Sequence, residues 1–242
     1  MEQDGKTVKQ SDQRHSHLPI YIPLLVILLL TAVTLTGKLD FFISDLFYNR
    51  VSGKWEYSRT ILERLIYFLA PVPAFVVFVG GVLVALAGIW RKKWRCWRRC
   101  AIYFSLVMLL GPGLIVNVGF KEWYGRPRPK QVTAYGGSME FHSVWASGEP
   151  HKGKSFPSGH AAIGFYFMAG YFAWWRENRS RARRWLFTGL AGGLLIGFSR
   201  MADGAHWFSD VAWSGVFIYC ISYLIAWACG LMKQNIRQTA DH

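Results

Sequence analysis

Four runs of this chain, residues 18–37, 65–90, 100–120 and 211–232, contain no Asp, Glu, Lys or Arg. Each is close to the ~20 residues a helix needs to cross hydrocarbon. A backbone inside lipid must satisfy its own polar groups, which leaves helices and closed barrels as spanning structures. Uninterrupted apolar runs of this length select the helix. The runs therefore constrain the fold more than any other feature: they predict an all-α, polytopic integral membrane bundle.

Two shorter apolar runs, 161–175 and 185–199, bring the expected number of transmembrane helices to six. The connections orient them. Segment 91–99 carries Arg91, Lys92, Lys93, Arg95, Arg98 and Arg99 and no acid; segment 176–184 carries five arginines against Glu177 alone. With six spans these two loops share a side with both termini, whose bases include Lys6, Lys9, Arg14, Lys233 and Arg237. The positive-inside rule makes that side cytoplasmic. The expected organisation is a cytoplasmic tail over 1–17, a six-span domain over 18–232 and a second cytoplasmic tail over 233–242. The first run exceeds a secretory h-region and no A-x-A site follows it, so it reads as a retained span. The four cysteines sit at span ends or within spans, which predicts packed, reduced thiols rather than a disulfide framework.

Chemistry collects in three segments on the opposite side. Residues 121–129 hold Lys121, Arg126 and Arg128; residues 156–160 read Phe-Pro-Ser-Gly-His; residues 199–210 hold Arg200, His206 and Asp210. Pro157 and Gly159 suit the start of a helix, whose free N–H groups favour an anion, and Ser158 adds a hydroxyl donor. Lys121, Arg128 and Arg200 are enough cations to surround a phosphoryl group. His206 and Asp210 lie four apart, on one face if that segment opens a helix, so the carboxylate can hold the imidazole tautomer. His160 supplies a second imidazole for proton transfer. Two histidines beside a cationic cradle imply phosphoryl transfer through a phosphohistidine. A metal centre fits poorly, because the clusters offer cations in excess of ligands. The remaining histidines, His15, His17, His142, His151 and His242, read as solvated or packed.

These three motifs resemble the type-2 phosphatidic acid phosphatase family, relatives of the vanadium haloperoxidases. The family pattern K-x6-R-P is met by Lys121 with Arg128-Pro129, P-S-G-H by residues 157–160, and S-R-x5-H-x3-D by Ser199-Arg200 with His206 and Asp210. The resemblance implies a cofactor-free, metal-independent phosphatase in which His206 is the nucleophile and Asp210 orients it. His160 would protonate the leaving oxygen, and Lys121, Arg128, Ser158, Gly159 and Arg200 would bind the phosphate. The doubled Arg126-Pro127-Arg128-Pro129 departs from the pattern; spacing selects Arg128, with Arg126 and Lys130 as auxiliary ligands.

The run 125–131, followed by Tyr135-Gly136-Gly137, is similar to bacterial membrane lipid A phosphatases. That implies a lipid phosphate monoester as substrate, taken from the bilayer at the periplasmic face of the bacterial inner membrane. Lys130, Lys152 and Lys154 are candidates for a further phosphate or acidic sugar, or for anionic lipid. Undecaprenyl pyrophosphate and phosphatidylglycerophosphate are the rival substrates, and a phosphotransferase the rival reaction. An anion channel or transporter is the reading from another class, against which stands the lack of paired broken spans in two similar halves. The excess of 28 Lys and Arg over 14 Asp and Glu does not indicate nucleic acid as a partner, since the bases are dispersed at span ends and no reading motif accompanies them. No obligate protein partner is implied.

Overall fold

A computed structural model describes residues 18–58 and 60–232. The two expected tails, with His15, His17, His242 and the terminal bases, lie outside the described residues. The fold is mostly helical. Four helical segments are long and apolar enough to cross a membrane: Ile61–Trp90, Lys92–Trp123, Arg179–Ala202 and Phe208–Ala228. A fifth span results if the bent pair at the start of the chain counts as one. The expectation of six is thus met only in its coarser form, a polytopic helical protein.

The bent pair comprises α1 (Leu18–Thr34) and α2 (Lys38–Asp45). The two arms, taken over Leu24–Thr34 and Lys38–Asp45, meet at 77°. Gly37 makes the corner with φ 70°, and a Cβ there would lie 2.6 Å from the Phe141 ring. Glycine alone serves such a turn without strain. A small hairpin of β1 (Tyr48–Asn49) and β2 (Lys54–Trp55) follows. Next come α3 (Ile61–Leu69) and α4 (Val72–Trp90). Phe75, Val76, Val79, Leu83 and Leu86 of α4 are exposed, as a lipid-facing helix requires.

Helix α5 (Lys92–Met108) continues through a wider-wound stretch, Leu109–Phe120, to Trp123. Pro112 lies inside it, unable to donate an N–H. Asn117 Nδ2 donates to the Pro112 carbonyl at 2.7 Å. Such local unwinding recurs at functional sites, and here it ends at Lys121.

The fourth expected span falls below spanning length. It is helical in three short pieces, α6 (Gly159–Phe165), a tight turn at Tyr166–Met168 and α7 (Ala169–Trp174). Its residues are almost all buried, because it runs through the centre of the bundle rather than along its surface. It packs against α8 (Arg179–Ala202). At Gly164 a Cβ would come within 2.8 Å of Gly192 and Gly193 backbone, the close approach that small residues permit between membrane helices. Tyr103 donates from α5 to the Ala169 carbonyl at 2.9 Å, closing the core. Helix α9 (Phe208–Ala228) completes the bundle.

The two basic segments occupy one end. Trp94, Trp97, Cys100 and Trp174 line a common cavity, Arg179 lies 3.5 Å above the Trp175 ring, and Arg99 donates to the Cys229 carbonyl at 2.6 Å. All four cysteines are free; Cys96 is exposed rather than packed. The three chemical motifs gather at the other end.

Candidate active site

The chain between α5 and α6 folds back over the end of the bundle where the motifs gather. Tyr124 O–H donates to the Val144 carbonyl, and the Ser155 N–H to the Arg126 carbonyl at 2.9 Å. Beneath this flap Trp207 is fully buried between Phe41 and Phe141, its indole N–H donating to the Pro127 carbonyl at 2.8 Å. Trp207 immediately precedes α9, so this aromatic cluster fixes His206 on one side of it and Asp210 on the other.

His206 is 2% exposed, and its Nδ1 stands 3.6 Å from Asp210 Oδ2, longer than a direct hydrogen bond but in the orientation expected. Sites of this kind often tighten only once substrate is bound. Burial, with Asp210 opposing it and the Arg128 and Arg200 cations adding to it, holds the His206 imidazole below its ordinary pKa. A neutral imidazole is the nucleophilic form.

The expected cations converge. Lys121, Arg128 and Arg200 are close enough that their charges repel one another, and all three act on His160 together with His206. Lys121 and Arg128 are half-buried and Arg200 is buried. His160 stacks on Tyr67 of α3 with ring centroids 4.3 Å apart, and the Arg200 guanidinium lies 4.9 Å from the same ring. Ser158 Oγ and Arg200 Nε are buried with no hydrogen-bond partner in the protein. Buried donors are rarely left so, and two of them among clustered cations suit an anion. Gly159 abuts Asn117, where a Cβ would lie 2.6 Å from Oδ1.

One of the two auxiliary residues is placed differently from expectation. Arg126 is no phosphate ligand. It is fully buried, and four of its N–H groups are engaged: with the His142 carbonyl, Ser209 Oγ, Asp210 Oδ1 and Asp40 Oδ2. Alternation in Gly-Arg-Pro-Arg-Pro turns one arginine inward and leaves the next for the site. Lys130 is exposed and 3.5 Å from Asp203. Lys152 and Lys154 pair with Glu149 and Glu122, and His151 with Glu122, so these bases are already balanced by acids.

Sequence reasoning missed four contributors. Asp40, on α2, binds both Arg126 and Ser209. Ser155 donates to Asp210 Oδ2 at 2.5 Å. Glu63 Oε1 lies 2.5 Å from Arg200 Nη1, and Tyr67 bridges Arg200 to His160. Glu63 and Tyr67 share one face of α3, four apart, which was the signal available. Among the described residues, no three His, Cys, Asp or Glu side chains are grouped to hold a metal ion.

The PAP2 superfamily profile matches residues 100–236, a range that includes all three motifs. The chain belongs to the PAP2 superfamily. Three relatives bear the name lipid A 4′-phosphatase. That of Francisella tularensis subsp. novicida is 34% identical over 146 residues, covering 60% of this chain and 65% of its own. That of Rhizobium etli is 31% identical over 178 residues, covering 68% and 62%. That of Rhizobium leguminosarum is 31% identical over 151 residues, covering 56% and 62%. The matches thus span less than two thirds of these relatives' own length. No solved structure matches the chain.

Proposed function

We propose that this PAP2 protein is a membrane phosphatase that hydrolyses a lipid phosphomonoester, with lipid A as substrate and its 4′-phosphate as the group removed. One observation carries the reading. His206, backed by Asp210, shares a single end of the bundle with His160, Lys121, Arg128, Arg200 and the unpaired hydroxyl of Ser158. The relatives named lipid A 4′-phosphatase supply the substrate.

In this reaction the neutral imidazole of His206 attacks phosphorus through Nε2, while His160 gives a proton to the departing lipid oxygen. The N–P bond forms as the P–O bond breaks. Lys121, Arg128, Arg200, Ser158 and the N–H of Gly159 hold the equatorial oxygens, whose charge is greatest in the transition state. His160 then takes a proton from water, which attacks the phosphohistidine and releases inorganic phosphate. Asp210 supports the charge on His206 in between. No step uses a metal.

The reading takes six spans, counting the central α6–α7 segment as the fourth crossing, with this end at the periplasmic face of the inner membrane and both termini in the cytoplasm. The basic end near Arg99 and Arg181 then meets the cytoplasmic leaflet.

The test is purified protein in detergent with lipid A, products located by mass spectrometry. The reading expects free phosphate and loss of the 4′-group, unaffected by chelator and inhibited by vanadate. His206→Ala should lower turnover by at least about 10³-fold. Undiminished hydrolysis by that variant would sink the phosphohistidine route.

A further inference from the structure

Behind Asp210 lies a chain of buried charges reaching α2. Asp210 is fully buried and receives Arg126 Nη1 on Oδ1, with Ser155 Oγ and the Trp207 N–H on Oδ2. Arg126, also fully buried, turns its other terminal nitrogen to Asp40 Oδ2 at 2.8 Å. Asp40 is 1% exposed and accepts the Ser209 N–H at 2.8 Å and the Ser209 hydroxyl at 2.7 Å. Ser209 Oγ in turn accepts from Arg126 Nη1 at 2.8 Å. The ring is closed, dry and hydrogen-bonded throughout.

The charge balance shows what Asp40 adds. Asp210 alone in a dry interior would take up a proton. Arg126 keeps it ionised, but a one-to-one pair is neutral and has little net charge left for a cationic imidazole. Asp40 restores the missing negative charge, so the three groups together carry −1. When His206 becomes cationic on forming its bond to phosphorus, the four groups sum to zero.

We propose that Asp40 and Arg126 are positioning residues that set the net charge behind His206, acting through Asp210 and never touching substrate. The proposal rests on the reading of His206 as nucleophile, but its test does not. The groups facing His206 are Asp210 on α9, Arg200 on α8, Arg128 in the flap and His160 on α6. Lys121 acts on His160, and Glu63 and Asp203 are tied to Arg200. Of these groups only Asp210 is hydrogen-bonded to Arg126, and none is bonded to Asp40.

The experiment follows the His206 imidazole by NMR of ¹⁵N-histidine-labelled full-length protein in detergent, with His206→Gln identifying its signal. Asp40→Asn keeps the acceptor for Ser209 and deletes one negative charge, so the His206 titration midpoint should fall, by about one pH unit. Arg126→Gln deletes a positive charge, so the midpoint should rise. The double variant leaves Asp210 alone in that interior, where it takes up a proton, so the midpoint should fall there as well. Opposite displacement of the two single variants is a signature that loosened packing does not produce, and where only one folds the sign of its own shift decides. A midpoint unmoved in a folded single variant overturns the proposal.

On lipid A, Asp40→Asn should lower kcat roughly 10–100-fold, the range seen for partners of site groups, with KM little changed. Lipid A hydrolysis that survives in His206→Ala would instead defeat the nucleophile reading and leave the titration result standing.

Discussion

Two carboxylate–arginine–carboxylate clusters flank His206, and they differ in access to water. Asp40–Arg126–Asp210 is sealed: the Arg126 side chain is 0% exposed, and its carboxylate partners are 2% and 0% exposed. Glu63–Arg200–Asp203 lines an open cavity of about 260 Å³ with Ser58, Arg64 and Lys130. Arg200 there makes contacts of 2.5 Å and 3.2 Å to its two acids but keeps Nε unpaired. The same combination of charges therefore suits two different jobs. A dry cluster, whose members can exchange partners with nothing, fixes geometry and charge. A cluster on a cavity can trade a carboxylate for a phosphate.

That contrast is tested first by removing each arginine. Arg126→Met strands two buried carboxylates and should cost about 3–5 kcal/mol of stability, seen as early thermal unfolding in detergent. Arg200→Met leaves acids that cavity water can solvate, so unfolding should move far less. Its cost should fall on turnover instead, roughly 10²–10³-fold, as for loss of one transition-state donor. If the two variants lose stability equally, the division between fixing and exchanging is wrong.

Much of this site was readable in linear form. Lys121 to Arg128, residues 157–160, and Arg200 to Asp210 each carry their spacing within a short stretch, and topology had only to bring their ends together. Asp40 was invisible for a physical reason: its partner Arg126 lies 86 residues away, and an Asp beside Lys38 at the end of a charge-free run looks like an interfacial residue. The inward turn of Arg126 and outward turn of Arg128 also required the flap to be folded. Residues 159–174 are where the expected span count is met only in its coarser form. Apolar residues on every side describe a helix buried in protein as well as one facing lipid, and the burial of this segment shows that much of its apolar surface is covered by its neighbours.

Acidity separates the clusters next. Burial lowers the His206 pKa relative to the unfolded chain, so below the ordinary imidazole value of about 6.5 the unfolded state binds more protons. The contribution of neutral His206 to stability is present above that value and is lost as pH falls towards the lowered pKa. Activity should follow, with an acid limb lying below pH 6.5. A limb at or above 6.5 would mean that His206 is better solvated than its surroundings indicate.

Glu63 gives the smallest and most discriminating effect. Its carboxylate already occupies Arg200 Nη1, one of the donors a phosphate oxygen needs, and the two anions repel. Glu63→Gln keeps the size of the side chain and a hydrogen-bond acceptor while removing the competing charge. Vanadate should then bind about three- to tenfold more tightly, on the order of 1 kcal/mol. Thermal stability should hardly change, because Asp203 and the Tyr67 ring still hold the guanidinium. Weaker vanadate binding would show the reverse: that Glu63 aims Arg200 at the phosphate and belongs with the fixing cluster rather than the exchanging one.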